Sequence, residues 1–203
     1  MARMVGVFTL AVAACVLFTA TGATAQQPRI VVMVYNRAHA PAGEVAEAQV
    51  VAQKALRQAG VESSWFNCLE ANPAPQCSEK PGEGRVVLSL VPRWGGGGET
   101  DDRSLGLALP IENGIGAYCY VFTERFQELV ESAHTRPSGL LGLAMAHEIC
   151  HLLKGTNSHS PSGIMAAWWY PEAIQSAGIG FLSFTEADRR TMQKRLLQYG
   201  RVK

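Results

Sequence analysis

The stretch Leu140-Leu-Gly-Leu-Ala-Met-Ala-His147-Glu148-Ile149-Cys150-His151-Leu152-Leu153 decides how this chain folds. Its apolar residues fall on every side of a 3.6-residue period, which predicts a core helix from Ser138 to Leu153, with Gly155 as its stop. His147 and His151 stand four apart, so they share one helix face, and Glu148 lies beside them. Two histidines and a carboxylate without partners are costly to bury in such a helix, and a metal ion removes that cost.

The pattern His-Glu-x-x-His also carries a chemistry. Two imidazoles one turn apart can both reach a single metal, while the adjacent carboxylate takes a proton from a water that the metal has acidified. His159, after the glycine stop, is the candidate third nitrogen ligand. Three protein ligands leave a fourth position for water, the arrangement of a catalytic zinc site and not of a closed structural one. Glu172 and Asp188 are rivals for the third position, each also reading as a solvated or helix-capping acid. His39 and His134 read as surface residues.

Working outward, Arg29–Asn36 (RIVVMVYN) is a continuous β-branched run suited to a buried strand. Residues 42–60 repeat apolar positions at helical spacing (Val45, Ala48, Ala52, Ala55, Leu56, Ala59) and end at Gly60. Strands are expected over 61–68, 85–91 and 117–122, with a short edge strand over 105–110, where Pro110 is tolerable at the end. Thr185 caps a last helix reaching Tyr199. The result is an α+β fold with an α/β N-terminal half. Gly95–Gly98, followed by Glu99, Asp101 and Asp102, reads as a surface loop: no Lys-Ser/Thr follows the glycines as in a phosphate loop, and the acids do not alternate as in a calcium loop.

The chain has 203 residues, of which 47% are hydrophobic and 17% charged, with 18 Lys and Arg against 17 Asp and Glu. That composition supports a packed core and lacks the clustered basic excess that nucleic acid requires. Met1-Ala-Arg3, an apolar run to Ala20 and Ala23-Thr24-Ala25 read as a secretory signal peptide, residues 1–25, leaving one domain over residues 26–203. Val12-Ala-Ala-Cys15 is a competing lipoprotein box that would anchor Cys15. No other segment is apolar enough to span a bilayer. Export permits disulfides, and Cys68 with Cys77 is the expected pair, flanking an aperiodic loop with two prolines. Cys119 and Cys150 could pair or remain small buried thiols.

His147-Glu-Ile-Cys-His151, Gly155, His159 and Ser162-Gly163-Ile164-Met165 together resemble the metzincin clan of zinc endopeptidases. The spacing is longer than the clan's: Gly155 and His159 stand eight and twelve residues after His147, where seven and ten are usual. The resemblance implies a twisted mixed sheet with an antiparallel edge strand at the cleft rim, an active-site helix, a Met turn and a C-terminal helix. It implies one zinc held by His147, His151 and His159, with Glu148 as general base, Met165 as an apolar floor and a protein or peptide as substrate. Trp168, Trp169 and Tyr170, after the turn, are either a wall of the substrate pocket or core packing. The expected function is thus an exported zinc endopeptidase, secreted or periplasmic. The competing class is a secreted binding protein that keeps the fold without turnover.

Overall fold

The computed structural model describes residues 28–93, 104–133, 135–178 and 182–200. The expected leader with Cys15, the glycine loop at 95–98 with its acids, and His134 lie outside the described residues. Five strands, β1 (Arg29–Asn36), β2 (Glu62–Asn67), β3 (Arg85–Val91), β4 (Gly106–Leu109) and β5 (Tyr118–Phe122), form one sheet in the order β2-β1-β3-β5-β4. All neighbours are parallel except β4, which runs antiparallel to β5 at the edge, pairing Gly106 with Val121 and Leu109 with Tyr118. The fold is therefore mixed α/β, as expected, with β4 two residues shorter than the expected 105–110.

The unbroken apolar run of β1 follows from burial on both faces. Ile30, Val32 and Val34 enter the main core, whereas Val31 and Met33 join Cys68, with Tyr35, Phe66, Cys77 and Val87 packed against them, in a smaller cluster on the other face. A disulfide between Cys68 and Cys77 holds the loop there (Cα–Cα 5.4 Å), and the Tyr35 hydroxyl donates to the Cys77 carbonyl at 3.3 Å. Cys119 and Cys150 are free and buried, which settles the choice between pairing and separate thiols.

Helix α1 (Ala42–Gln58) buries the apolar stripe read from its sequence, Val45, Ala48, Ala52, Ala55 and Leu56. It packs against the next long core helix, Pro137–Lys154. Two further helices lie where the sequence reading places no element: α2 (Thr123–Ala133) and α4 (Pro171–Gly178). Residue Thr123 opens α2 directly after β5, and Phe126, Leu129 and Val130 supply its inward face at i, i+3 and i+4. Only Ile174 and Ala177 anchor α4 among its described side chains, a signal too short to register as a period.

The helix Pro137–Lys154 is α3, and its residues 140–146 and 149–153 are all buried. Each fully buried Leu or Ile contributes about 1.5–3 kcal/mol relative to exposure. Helix α5 (Glu186–Tyr199) packs across its C-terminal end. There Arg195 donates to the carbonyl of Leu153 at 3.0 Å and to those of Ile111 and Gly114 at 2.9 and 2.6 Å. Among the described residues no helix is long and apolar enough to cross a membrane.

Candidate active site

Helix α3 carries His147, Glu148 and His151 toward a cleft, then stops at Gly155. Gly155 adopts φ +69°, a left-handed conformation that glycine takes without steric cost, and its N–H bonds back to the His151 carbonyl at 2.9 Å. The chain then returns past the helix end so that His159 meets the other two imidazoles. Ligand nitrogens of His147, His151 and His159 all lie within 4.8 Å of one another, and the ring centroids are 4.7, 5.3 and 4.9 Å apart. Of the two extra residues in the spacing, one falls before Gly155, at the end of α3, and the other in this loop.

Backbone carbonyls fix the roles of the ring nitrogens. His147 Nδ1 lies 2.7 Å from the Ile164 carbonyl oxygen, and His151 Nδ1 lies 3.0 Å from that of Thr156. A carbonyl can only accept, so each Nδ1 carries the proton and donates, leaving Nε2 with its lone pair in the neutral ring. The two Nε2 atoms face each other at 3.0 Å. Burial lowers the His147 pKa from its ordinary 6.5 to about 3, with the neighbouring His151 adding to the effect, and burial lowers His151 to about 4. His159 is lowered as well, by burial and then by Lys154. Neutral imidazoles with converging lone pairs are the donor set that a divalent metal of borderline softness takes, so zinc fits these residues.

Glu148 is only 5% exposed, and burial pushes its carboxyl up to about 8. It reaches the edge strand at Gly106, where a Cβ would stand 2.6 Å from its Oε1 and 2.5 Å from the Tyr120 carbonyl. A glycine at this point in β4 therefore makes room for the carboxylate. The sequence reading did not single out Gly106, because glycine in a short edge strand is unremarkable without knowledge of what lies behind it.

Met165 is fully buried in the turn after His159. The carbonyl preceding it, Ile164, accepts from His147 and also from the Trp169 indole at 3.2 Å, so the turn orients a helical histidine. Gly163 sets this turn at φ +77° against Ser183, whose carbonyl accepts from the Ile164 N–H at 3.0 Å. The cleft in front has a volume of about 560 Å³. Trp168 and Trp169 line it together with Leu105 and with Gly106–Ala108 of the edge strand, while Tyr170 is 70% exposed and is not among its lining residues. Leu129 of α2 and Ile174 of α4, the two helices absent from the sequence reading, complete its apolar wall.

The rival ligands Glu172 and Asp188, and the expected surface residue His39, stand elsewhere. Glu172 is exposed in the first turn of α4, and His39 is exposed just beyond β1. Asp188 is buried but committed to Lys154, Ser160 and Thr185. These hydrogen bonds outweigh the opposing effect of burial and hold its carboxyl below the usual range.

No protein-family model and no curated protein matches the chain. Solved structures share its fold, two of them as follows. One is a zinc-dependent peptidase from Methanocorpusculum labreanum, 15% identical over 79% of this chain and 99% of its own, with a TM-score of 0.53. The other is archaemetzincin from Methanopyrus kandleri, 14% identical over 86% of this chain and 99% of its own, with a TM-score of 0.52. This chain thus shares the overall fold of these two proteins.

Proposed function

We propose that this protein is an exported zinc-dependent endopeptidase of metzincin type, with residues 26–203 as its catalytic domain. The observation that carries the reading is the convergence of three neutral imidazoles in the lining of a cleft, beside a buried glutamate and an antiparallel edge strand. His147, His151 and His159 would hold one zinc ion. When bound, zinc supplies Lewis acidity, which polarises a peptide carbonyl and makes a water easier to deprotonate.

The remaining work belongs to the chain. Glu148, held against Gly106, takes the proton of the attacking water on its carboxylate and returns it to the departing amine. A cation nearby favours the ionised carboxylate and so opposes the effect of burial on Glu148. Among the described residues β4 has no strand paired on its outer edge, which lets an extended peptide lie alongside it through main-chain hydrogen bonds. Trp168 and Trp169 offer apolar faces to a substrate side chain, whereas Tyr170 has no such place. The disulfide on the far face of the sheet supports an oxidising compartment and hence export.

Glu148→Ala tests the reading against a binding protein of the same fold. Peptide hydrolysis is expected to fall by about 10²–10⁴-fold while zinc is retained. Absence of measurable hydrolysis by the zinc-loaded wild-type protein across a broad peptide library would favour the binding protein.

A further inference from the structure

Behind the third histidine lies a buried polar cluster that the peptidase chemistry does not use. Lys154, the last residue of α3, extends to Asp188 in the first turn of α5 (Nζ to Oδ1, 2.7 Å), with the two side chains 9% and 2% exposed. The Ser160 hydroxyl lies 2.8 Å from both carboxylate oxygens, and the Thr185 hydroxyl donates to Oδ2 at 2.6 Å. A carboxylate that merely capped α5 would serve its own helix. This one gathers the end of α3, the α5 cap and the residue after His159.

The same cluster brackets His159 on both sides. Lys154 Nζ also donates to the Ser158 carbonyl, at 3.4 Å, and the Ser160 N–H donates to the Met165 carbonyl at 2.7 Å. The loop from Gly155 to His159 is longer than the metzincin spacing, so the helix end alone does not determine where its histidine falls. Breaking a buried ion pair by removing one partner is costly, so a loop tied to this pair has little freedom to drift.

We propose that Lys154, Asp188 and Ser160 form a clamp that positions His159 for metal binding, with Asp188 as its centre. The inference rests on the three-histidine reading of the site, and it makes these three positioning residues, none of which touches the metal or the substrate.

The test is a double-mutant cycle on zinc affinity, read by competition with a chromophoric chelator in the full protein after metal removal and reloading with Zn²⁺. Ser160→Ala, the mildest break in the clamp, is expected to weaken zinc binding about tenfold, the lower end of what partners behind metal ligands contribute. Ser160→Thr, which keeps the hydroxyl, is expected to restore affinity to near the wild-type value. In a His159→Ala background Ser160→Ala is expected to change nothing further, because the residue through which it acts is gone. Equal affinity for wild type and Ser160→Ala overturns the clamp, as does the same loss in both backgrounds, which marks a general structural effect. A wild-type protein that takes up no zinc defeats the three-histidine reading itself, a result distinct from either.

Discussion

Two of the three histidines sit on a helix and the third on a loop, and the two kinds of position are fixed by different physics. His147 and His151 owe their relative placement to the 3.6-residue turn of α3, whose flanking Leu140, Leu141, Ile149, Leu152 and Leu153 are all within 1% of full burial. His159 takes its place through the tethers of its neighbour Ser160, to Asp188 28 residues away and to the turn at 163–165. A helix-borne ligand is therefore as secure as the core, and a loop-borne ligand as secure as its tethers.

The contrast is broken most forcefully from the helix side. Leu152→Ala should cost about 2–5 kcal/mol of stability, measured by denaturant unfolding of the metal-free protein, because a fully buried leucine leaves a cavity. Zinc affinity of the folded fraction should change little, since the helix still presents both histidines one turn apart. A selective loss of zinc affinity at unchanged stability would contradict the view that the helix is a rigid mount.

Gly163→Ala strikes the loop side with a smaller stability cost, about 1–2 kcal/mol from the left-handed backbone, and displaces the turn from Ser183. Its effect on zinc affinity should exceed that of Leu152→Ala, because the turn supplies both the Ile164 carbonyl on His147 and the Met165 carbonyl on Ser160. If the two variants rank the other way in zinc titrations, the distinction between mount and tether fails.

A third effect concerns pH in the metal-free protein. His147 and His151 have folded pKa values of about 3 and 4, below their ordinary 6.5, so the stability they contribute is complete above pH 6.5 and is lost as pH falls toward 4 and 3. Glu148 acts in the opposite sense: raised from 4.5 to about 8, it contributes fully below pH 4.5 and loses that contribution as pH rises through 8. Stabilisation by Glu148→Gln should thus be greater at pH 8 than at pH 5 in thermal melts of chelator-treated protein. A pH-independent difference between the two proteins would contradict it.

The same division explains which parts of the fold and site are legible in the sequence. Strand β1, helix α1 and helix α3 announce themselves through local periodicity and burial, and the histidine pair comes with α3 because its spacing is a property of the helix. The edge strand β4 was legible from its short apolar run and Pro110. Helices α2 and α4 were not: α2 begins directly after β5, and α4 begins at Pro171, directly after Trp168-Trp-Tyr170, with too few turns to establish a period. Both matter to the site, since they close the cleft. Least legible was the environment of Asp188. Thr185 and Asp188 have the spacing of an ordinary helix cap, which Thr185 does provide by accepting from the Asp188 N–H. Nothing local reveals that Lys154 and Ser160 converge on the same carboxylate from 34 and 28 residues away.

The central claim, that three histidines from a helix and a stretched loop make one zinc site, is tested most directly by measuring zinc per chain in the purified wild-type protein and in a folded His159→Ala variant. One zinc per wild-type chain is expected, with much weaker retention in the variant. Failure of the wild type to take up zinc on reconstitution, or equal retention by the two proteins, would contradict the claim.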